Sequence, residues 1–111
     1  MAAVSVVNLV IQKGTDFSET FSLSAEDGLN LNLTGFTATA KLKKHPSSTT
    51  SYNFTTAITI ADSTIQISMT DDVTATLPSG RCYYDLVITS SGNVVSKVIQ
   101  GTALVEESVS V

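Results

Sequence analysis

The sequence predicts an all-β fold, an antiparallel β-sandwich, from three observations. Between Phe36 and Lys44, apolar residues alternate with threonine and lysine, the period of two that is typical of a strand with one buried face. The same alternation recurs along nearly the whole chain, with turn residues about every 8 to 12 residues. Charged residues make up only 14% of the chain, below the usual share of about 25%. The expected surface is therefore neutral and rich in hydroxyl groups, which favours packing against neighbours over chemistry.

Turn residues divide the chain into nine expected strands. These strands span residues 5–12, 15–24, 37–43, 51–55, 57–61, 64–69, 81–90, 94–101 and 103–109. Turns are expected at Asp27-Gly28, at Asp62-Ser63 and at residues 91–93, because Gly, Asn and Asp tolerate the positive φ of tight turns. Most neighbouring strands should therefore be antiparallel.

One short helical turn is expected near residues 70–77. Thr70 is a suitable N-cap, Asp71 and Asp72 favour the positive end of a helix, and Pro78 ends it.

Parity along each strand assigns the inward-facing side chains. They are Val7, Leu9, Ile11, Phe17, Phe21, Leu23, Tyr52, Phe54, Ile58, Ile60, Ile65, Ile67, Met69, Cys82, Tyr84, Leu86 and Ile88. Glu19 has the parity of a core residue. We expect that a bend or an edge position exposes its carboxylate to water, and that a buried carboxylate with a charged partner is the less favoured alternative. From Val94 onward apolar residues come in pairs, so either both faces are covered or a bulge near Gly101 switches the parity.

Size and composition limit the function classes. The 111 residues have room for a single domain, 1–111, with one core. The net charge of −4 and the pI near 4.6 give no basic footprint for nucleic acid. No apolar run approaches the roughly 18 residues needed to span a bilayer, and residues 1–10 lack the basic region of a signal peptide. We expect a chain with neither a nucleic-acid nor a membrane partner.

The sequence offers no set of residues for catalysis. His45 is the single histidine and Cys82 the single cysteine, which we expect to be a small core residue outside any disulfide. A hydrolase would rest on His45 alone, without a residue to orient it. Asp62, Asp71 and Asp72 do not have the spacing of a calcium loop. We therefore expect no enzyme activity, no catalytic or metal-binding residue and no cofactor.

Two groups of residues are candidate interfaces. Lys41 and Lys43 point outward from their strand, where they guard a sheet edge or meet an acidic partner. Tyr83, Asp85 and Val87 point away from the core, and their face is either an interface or a second packed face of a central strand. The apolar chain ends, residues 2–7 and 105–111, are a further candidate, because such ends gain order on a neighbour's sheet edge. Their exposed valines are expected to be Val4, Val6, Val109 and Val111.

Several short motifs resemble a module of tailed-phage structural proteins. These motifs are IQKGTDFSETFSL at 11–23, Asp27-Gly28, LNLTGF at 31–36, ATAKLKK at 38–44, LPSG at 77–80 and YYDL at 83–86. Together they resemble the immunoglobulin-like N-terminal domain of baseplate upper proteins and related small virion proteins. The resemblance implies an immunoglobulin-like sandwich that is assembled in the host cytoplasm into the virion as part of a multi-copy assembly. Its expected partners are other virion proteins, copies of itself included.

Three roles follow as hypotheses. The first is a non-enzymatic virion structural protein, weakly favoured in tail, baseplate or fibre attachment. The second is a capsid decoration protein on the head. The third, from another class, is a carbohydrate-binding module for host adsorption, which the 6% aromatic content and the lack of Trp disfavour.

Overall fold

The computed structural model describes residues 5–23 and 32–109. The elements in chain order are β1 Ser5–Val6, β2 Leu9–Gln12, β3 Phe17–Ser22, β4 Thr37–Lys43, β5 Tyr52–Thr59, β6 Thr64–Met69, α1 Asp71–Thr74, β7 Gly80–Thr89 and β8 Val95–Glu106. The turn expected at Asp27-Gly28 lies outside the described residues. No helix in these ranges has the length and apolar character that crossing a membrane requires.

The strands form one curled sheet with two layers, because β5 belongs to both. Its first residues pair with β4, and residues 55–59 pair with β6. The large layer contains β1 and β2, then β8, β7, β4 and the start of β5, and the small layer contains the rest of β5, β6 and β3. Phe54 lies at the junction, where its ring contacts Phe17 of the small layer at 6.0 Å and Tyr84 of the large layer at 6.2 Å. The predicted all-β sandwich is confirmed.

The core lies between the two layers and follows the predicted parity closely. Leu42, Leu86, Ile65 and Ile67 are fully buried, and Cys82 is buried among them as expected. Ile60 was expected in the core but is 51% exposed, because β5 ends at Thr59 and Ile60 lies in the following turn.

Three predictions of strand boundaries were wrong. Residues 5–12 were expected as one strand but form two, β1 and β2. Residues 51–55 and 57–61 form the single strand β5, and residues 94–101 and 103–109 form the single strand β8. Neither break contains a residue that forces a turn, so the backbone continues through it. The antiparallel expectation holds for the other described pairs but fails for β1 and β2, which pair in parallel with β8. This occurs because the chain leaves β2 for the small layer instead of turning back in a hairpin.

The bulge expected near Gly101 lies earlier in β8. Leu86 pairs with Ile99 whereas Val87 pairs with Lys97, so Val98 is the extra residue. Val98 and Ile99 are consequently both buried, which explains the paired apolar residues in the sequence.

The predicted short helical turn is present as α1, but it is capped differently. Thr70 is at the N-cap position, but its side chain makes no capping hydrogen bond. The backbone N–H of Asp71 instead donates to Oδ1 of Asp16 at 2.9 Å. Thr74 is buried and ties α1 to the β2–β3 connection, since its hydroxyl donates to the Thr15 carbonyl at 2.8 Å and accepts from the Gly14 N–H at 3.1 Å.

Glu19 is exposed on β3, as the edge-position interpretation predicted. Among the described strands β3 pairs only with β6, so it is the edge of the small layer. A charged side chain with the inward parity of an edge strand opposes indiscriminate pairing with other chains.

Candidate protein-interaction surface

The side of the large layer that faces away from the core brings several predicted interface residues together. Residues directly opposite one another in a sheet share a face. Lys41 is opposite Asp85, and Lys43 is opposite Tyr83. We call this side the outer face. Its members are Thr37, Thr39, Lys41 and Lys43 on β4, Arg81, Tyr83, Asp85, Val87 and Thr89 on β7, Val95, Lys97, Gln100, Thr102, Leu104 and Glu106 on β8, and Val6, Asn8, Val10 and Gln12 along the edge strand.

A groove of about 620 Å³ lies on the outer face. Its lining comes from four strands and from the loop after β4. The lining residues are Val6, Asn8, Lys41, Lys43, Pro46, Tyr83, Tyr84, Asp85, Lys97, Gln100, Gly101 and Thr102.

An interruption of the edge strand shapes one wall of the groove. The parallel register with β8 would direct the Thr102 N–H to the Val7 carbonyl. Instead, Oδ1 of Asn8 accepts both the Thr102 N–H, at 3.2 Å, and the Thr102 hydroxyl, at 3.1 Å. The Val7 carbonyl accepts from the Tyr84 hydroxyl at 2.5 Å. These side-chain hydrogen bonds satisfy the backbone groups of Val7 and Thr102 where the edge strand is interrupted between β1 and β2. They also place Asn8 in the groove.

At this interruption there is no room for a side chain at Gly101. A Cβ atom at this position would lie 2.1 Å from the Val7 carbonyl oxygen and 2.8 Å from its carbon. Only glycine allows the Val7 backbone to come this close.

The charges of the groove are mainly positive. Nζ of Lys97 lies 3.7 Å from Oδ2 of Asp85, and both side chains are partly exposed. Lys41 and Lys43 have no ion-pair partner among the described residues. The exposed Lys97–Asp85 pair contributes little to stability. The ammonium groups of Lys41 and Lys43 are available to bind another molecule.

Three titratable groups near this part of the fold have shifted pKa values. Burial, and secondarily the negative charge of Glu19, raises the pKa of Tyr84 to about 12. Burial also raises the pKa of the Cys82 thiol, against a smaller opposing effect of Lys44. Hydrogen bonds from Ser79 and Lys13 lower the pKa of Glu107 at the end of β8. The first two shifts favour neutral side chains inside the sandwich.

Exposed apolar side chains concentrate on the outer face. Val6 is 69% exposed, Leu104 is 43% exposed and Tyr83 is 36% exposed. Val10 and Val95 are also exposed on this face. Val10 is directly opposite Leu104, so these two exposed side chains are neighbours. Exposed apolar surface surrounded by polar residues is typical of sites that bind another protein.

The structure therefore joins candidates that the sequence treated separately. Lys41, Lys43, Tyr83, Asp85, Val87 and Val6 share the outer face. The side chains of the outer face are exposed or half-buried in the described chain, which favours the interface interpretation over a second packed face. Val109 is fully exposed but lies beyond the end of β8, away from the groove, and Val4 and Val111 are outside the described residues.

Sequence reasoning missed part of the groove. Lys97, Gln100 and Thr102 reach the outer face only because the bulge at Val98 changes the parity of β8. The polar residue Asn8 within an apolar run was the one local signal for the interruption of the edge strand.

His45 is exposed in the loop after β4. The backbone of His45 closes a turn with Ser48, whose hydroxyl accepts from the His45 N–H at 3.1 Å. Within residues 5–23 and 32–109, no three side chains among His, Cys, Asp and Glu come together in a group that could hold a metal ion.

Comparison with known proteins places the chain in a family. A search of curated proteins finds no match. A family model described as an LtfC-like β-sandwich domain matches residues 4–105, nearly the whole chain. This family is related to phage tail fibres, so the match supports a phage β-sandwich protein, whereas the finer resemblance to baseplate upper proteins stays a prediction. The chain belongs to the LtfC-like β-sandwich domain family.

Proposed function

We propose that this protein is a non-enzymatic structural module of a phage virion that binds other virion proteins through its outer face. The observation that carries the proposal is the combination, on one side of the large layer, of exposed apolar side chains with lysines that have no ion-pair partner among the described residues. Val6, Tyr83 and Leu104 supply apolar area, and Lys41 and Lys43 supply charge that another surface can neutralise.

The composition of the outer face supports protein binding. Tyrosine is enriched in protein interfaces because it combines a large apolar body with a polar tip. Tyr83 lies near the middle of the face, with Lys43 on one side and Thr102 on the other. Hydroxyl and amide groups around it are suited to the polar rim of an interface.

The family relationship favours the tail side of the virion. An LtfC-like domain is related to tail fibres, which supports a role in tail, baseplate or fibre attachment, with capsid decoration as the alternative. Assembly in the host cytoplasm and a multi-copy arrangement are part of the same proposal.

Purified particles test this proposal directly. The chain should be detected by mass spectrometry in gradient-purified virions, and gold-labelled antibody should bind the tail region of intact particles. Consistent absence from purified particles would overturn the proposal. Label confined to heads would replace tail attachment with capsid decoration.

A docking test uses the double variant Lys41→Glu with Lys43→Glu. Both side chains point outward, so the variant should fold like the wild type, but it should be incorporated less if the partner surface is acidic. Incorporation at the wild-type level would show that the lysines only protect the sheet from indiscriminate pairing.

A second candidate function has one observation in its favour. Tyr83 lines the groove next to polar side chains from Asn8, Asp85, Gln100 and Thr102, an arrangement that could bind a sugar ring. A glycan array measures this activity. Binding that is lost in Tyr83→Ala would support an adsorption module, and an array without binding would exclude it.

A further inference from the structure

We infer that the groove on the outer face binds the acidic corner of a second copy of this chain, defined by Asp16, Asp71 and Asp72. This inference rests on the proposed function, since it names the partner of the same surface. It would make the contact between copies head-to-tail.

Positive and negative charges are separated in the molecule. Four of the six cationic side chains, Lys41, Lys43, Arg81 and Lys97, lie on the outer face, with two of the ten carboxylates. That face therefore has a net charge of +2, and since the whole chain has −4, the remainder has −6. The rest of a second copy is thus electrostatically complementary to the groove.

The acidic corner is preorganised and has no cationic partner in the described chain. Asp16 holds the start of α1 through the Asp71 N–H, and Oδ1 of Asp71 accepts the N–H of Asp72 at 3.0 Å. All three aspartates are exposed, and the described ion pairs involve none of them. Their negative charge is held in place on an ordered turn.

The two surfaces cannot meet within one molecule. The acidic corner is at the end of the small layer, where β3 begins and β6 ends, whereas the groove is on the outside of the large layer. A contact between them has to join two copies.

The spacing of the charges permits paired contacts. Lys41 and Lys43 are two residues apart on one face of a strand, about 7 Å along its axis. The carboxylates of Asp71 and Asp72 belong to consecutive residues, and flexible lysine side chains can adjust to them. Lys97 pairs with Asp85, so Lys41 and Lys43 are the cations of the groove that have no ion-pair partner among the described residues.

A contact between two different patches leaves the corner of one copy and the groove of the other copy unused. Further copies can add in the same way, and they form a ring or an open filament. Exposed ion pairs are weak and screened by salt, so the association should be dependent on concentration and ionic strength.

Sedimentation velocity on the purified chain tests the inference through charge reversal. The wild type should associate at low salt, and the association should weaken as salt increases. Lys41→Glu with Lys43→Glu should weaken it by roughly tenfold or more, and so should Asp71→Lys with Asp72→Lys. An equimolar mixture of these two variants should form a complex, because the reversed groove of one matches the reversed corner of the other.

Matched controls separate charge complementarity from general charge effects. Asp72→Lys alone should weaken association, whereas Asp62→Lys, the same change in an exposed turn away from the corner, should not. If the double variant Asp71→Lys with Asp72→Lys does not fold, as judged by circular dichroism, the milder double variant Asp71→Asn with Asp72→Asn replaces it and should also lower association.

The outcomes distinguish this inference from the proposed function. A wild-type chain that remains monomeric at low salt and high concentration, or variants that associate like the wild type, would overturn the inference. Detection of the same chain in particles would then leave the proposed function standing, with a partner other than itself. Self-association of a chain that is absent from particles would support the inference and overturn the proposed function.

Discussion

The Tyr84 hydroxyl donates a hydrogen bond of 2.5 Å to the Val7 carbonyl, across 77 residues of sequence. This bond replaces the hydrogen bond that the Thr102 N–H would donate to the Val7 carbonyl in a regular parallel pair. The Thr102 N–H donates to Oδ1 of Asn8 instead. A core side chain thus fixes the path of the edge strand, and that path forms a wall of the groove. The geometry of the outer face is therefore coupled to the packing inside the sandwich.

Tyr84→Phe should destabilise the fold by about 1 to 3 kcal/mol, because it leaves the Val7 carbonyl without its donor. Urea unfolding measures the change. Tyr83→Phe is the matched control on the same strand and should alter stability by less than about 0.5 kcal/mol, since the Tyr83 side chain is on the exposed face. Equal effects of the two variants would show that the Tyr84 hydrogen bond is not important for stability.

Gly101→Ala should cost about 1 to 3 kcal/mol, because the added Cβ would lie 2.1 Å from backbone oxygen that cannot rotate away. Thermal unfolding measures the loss. Gly92→Ala is the control, since the nearest atom to its Cβ would be 3.8 Å away. Wild-type stability of Gly101→Ala would indicate that the edge strand can move without cost.

The stabilisation that depends on Tyr84 should decline at high pH. The folded-state pKa of about 12 is above the ordinary value of 10.0, so an unfolded chain loses the tyrosine proton first. The contribution is complete below about pH 10 and is lost as pH rises towards 12. The stability difference between wild type and Tyr84→Phe should therefore narrow over this range in urea titrations. A difference that stays constant to pH 12 would contradict the shift.

The alternation of apolar and polar residues was sufficient to predict most of the core residues of this fold. Residues such as Ile11, Ile65, Leu86 and Ile88 were placed correctly because each strand has one covered face, and a period of two specifies that face. The errors came from tertiary effects. Nothing local reveals that β5 continues from one layer into the other, or that β1 and β2 pair in parallel with β8.

The candidate surface was only partly predictable for the same reason. Lys41 and Tyr83 were recognised as outward-facing from their own strands, but their proximity depends on the pairing of β4 with β7. Lys97 could not be assigned to a face without the bulge at Val98, which is a property of the β7–β8 register.

Two neighbouring residues test that register and the exposed nature of the outer face. Leu104 is 43% exposed, whereas Val105 is 2% exposed in the core. Leu104→Thr should change the free energy of unfolding by less than about 0.5 kcal/mol, while Val105→Thr should lower it by about 1 to 3 kcal/mol because it buries a hydroxyl group.

The same pair of variants separates docking from folding. If the outer face binds another virion protein, Leu104→Thr should reduce incorporation into particles although its stability is unchanged, because apolar area leaves the interface. Urea unfolding and quantitative mass spectrometry of purified particles give the two readouts. A Leu104→Thr variant as unstable as Val105→Thr would contradict the assigned register of β8. A stable variant with normal incorporation would place Leu104 outside the interface.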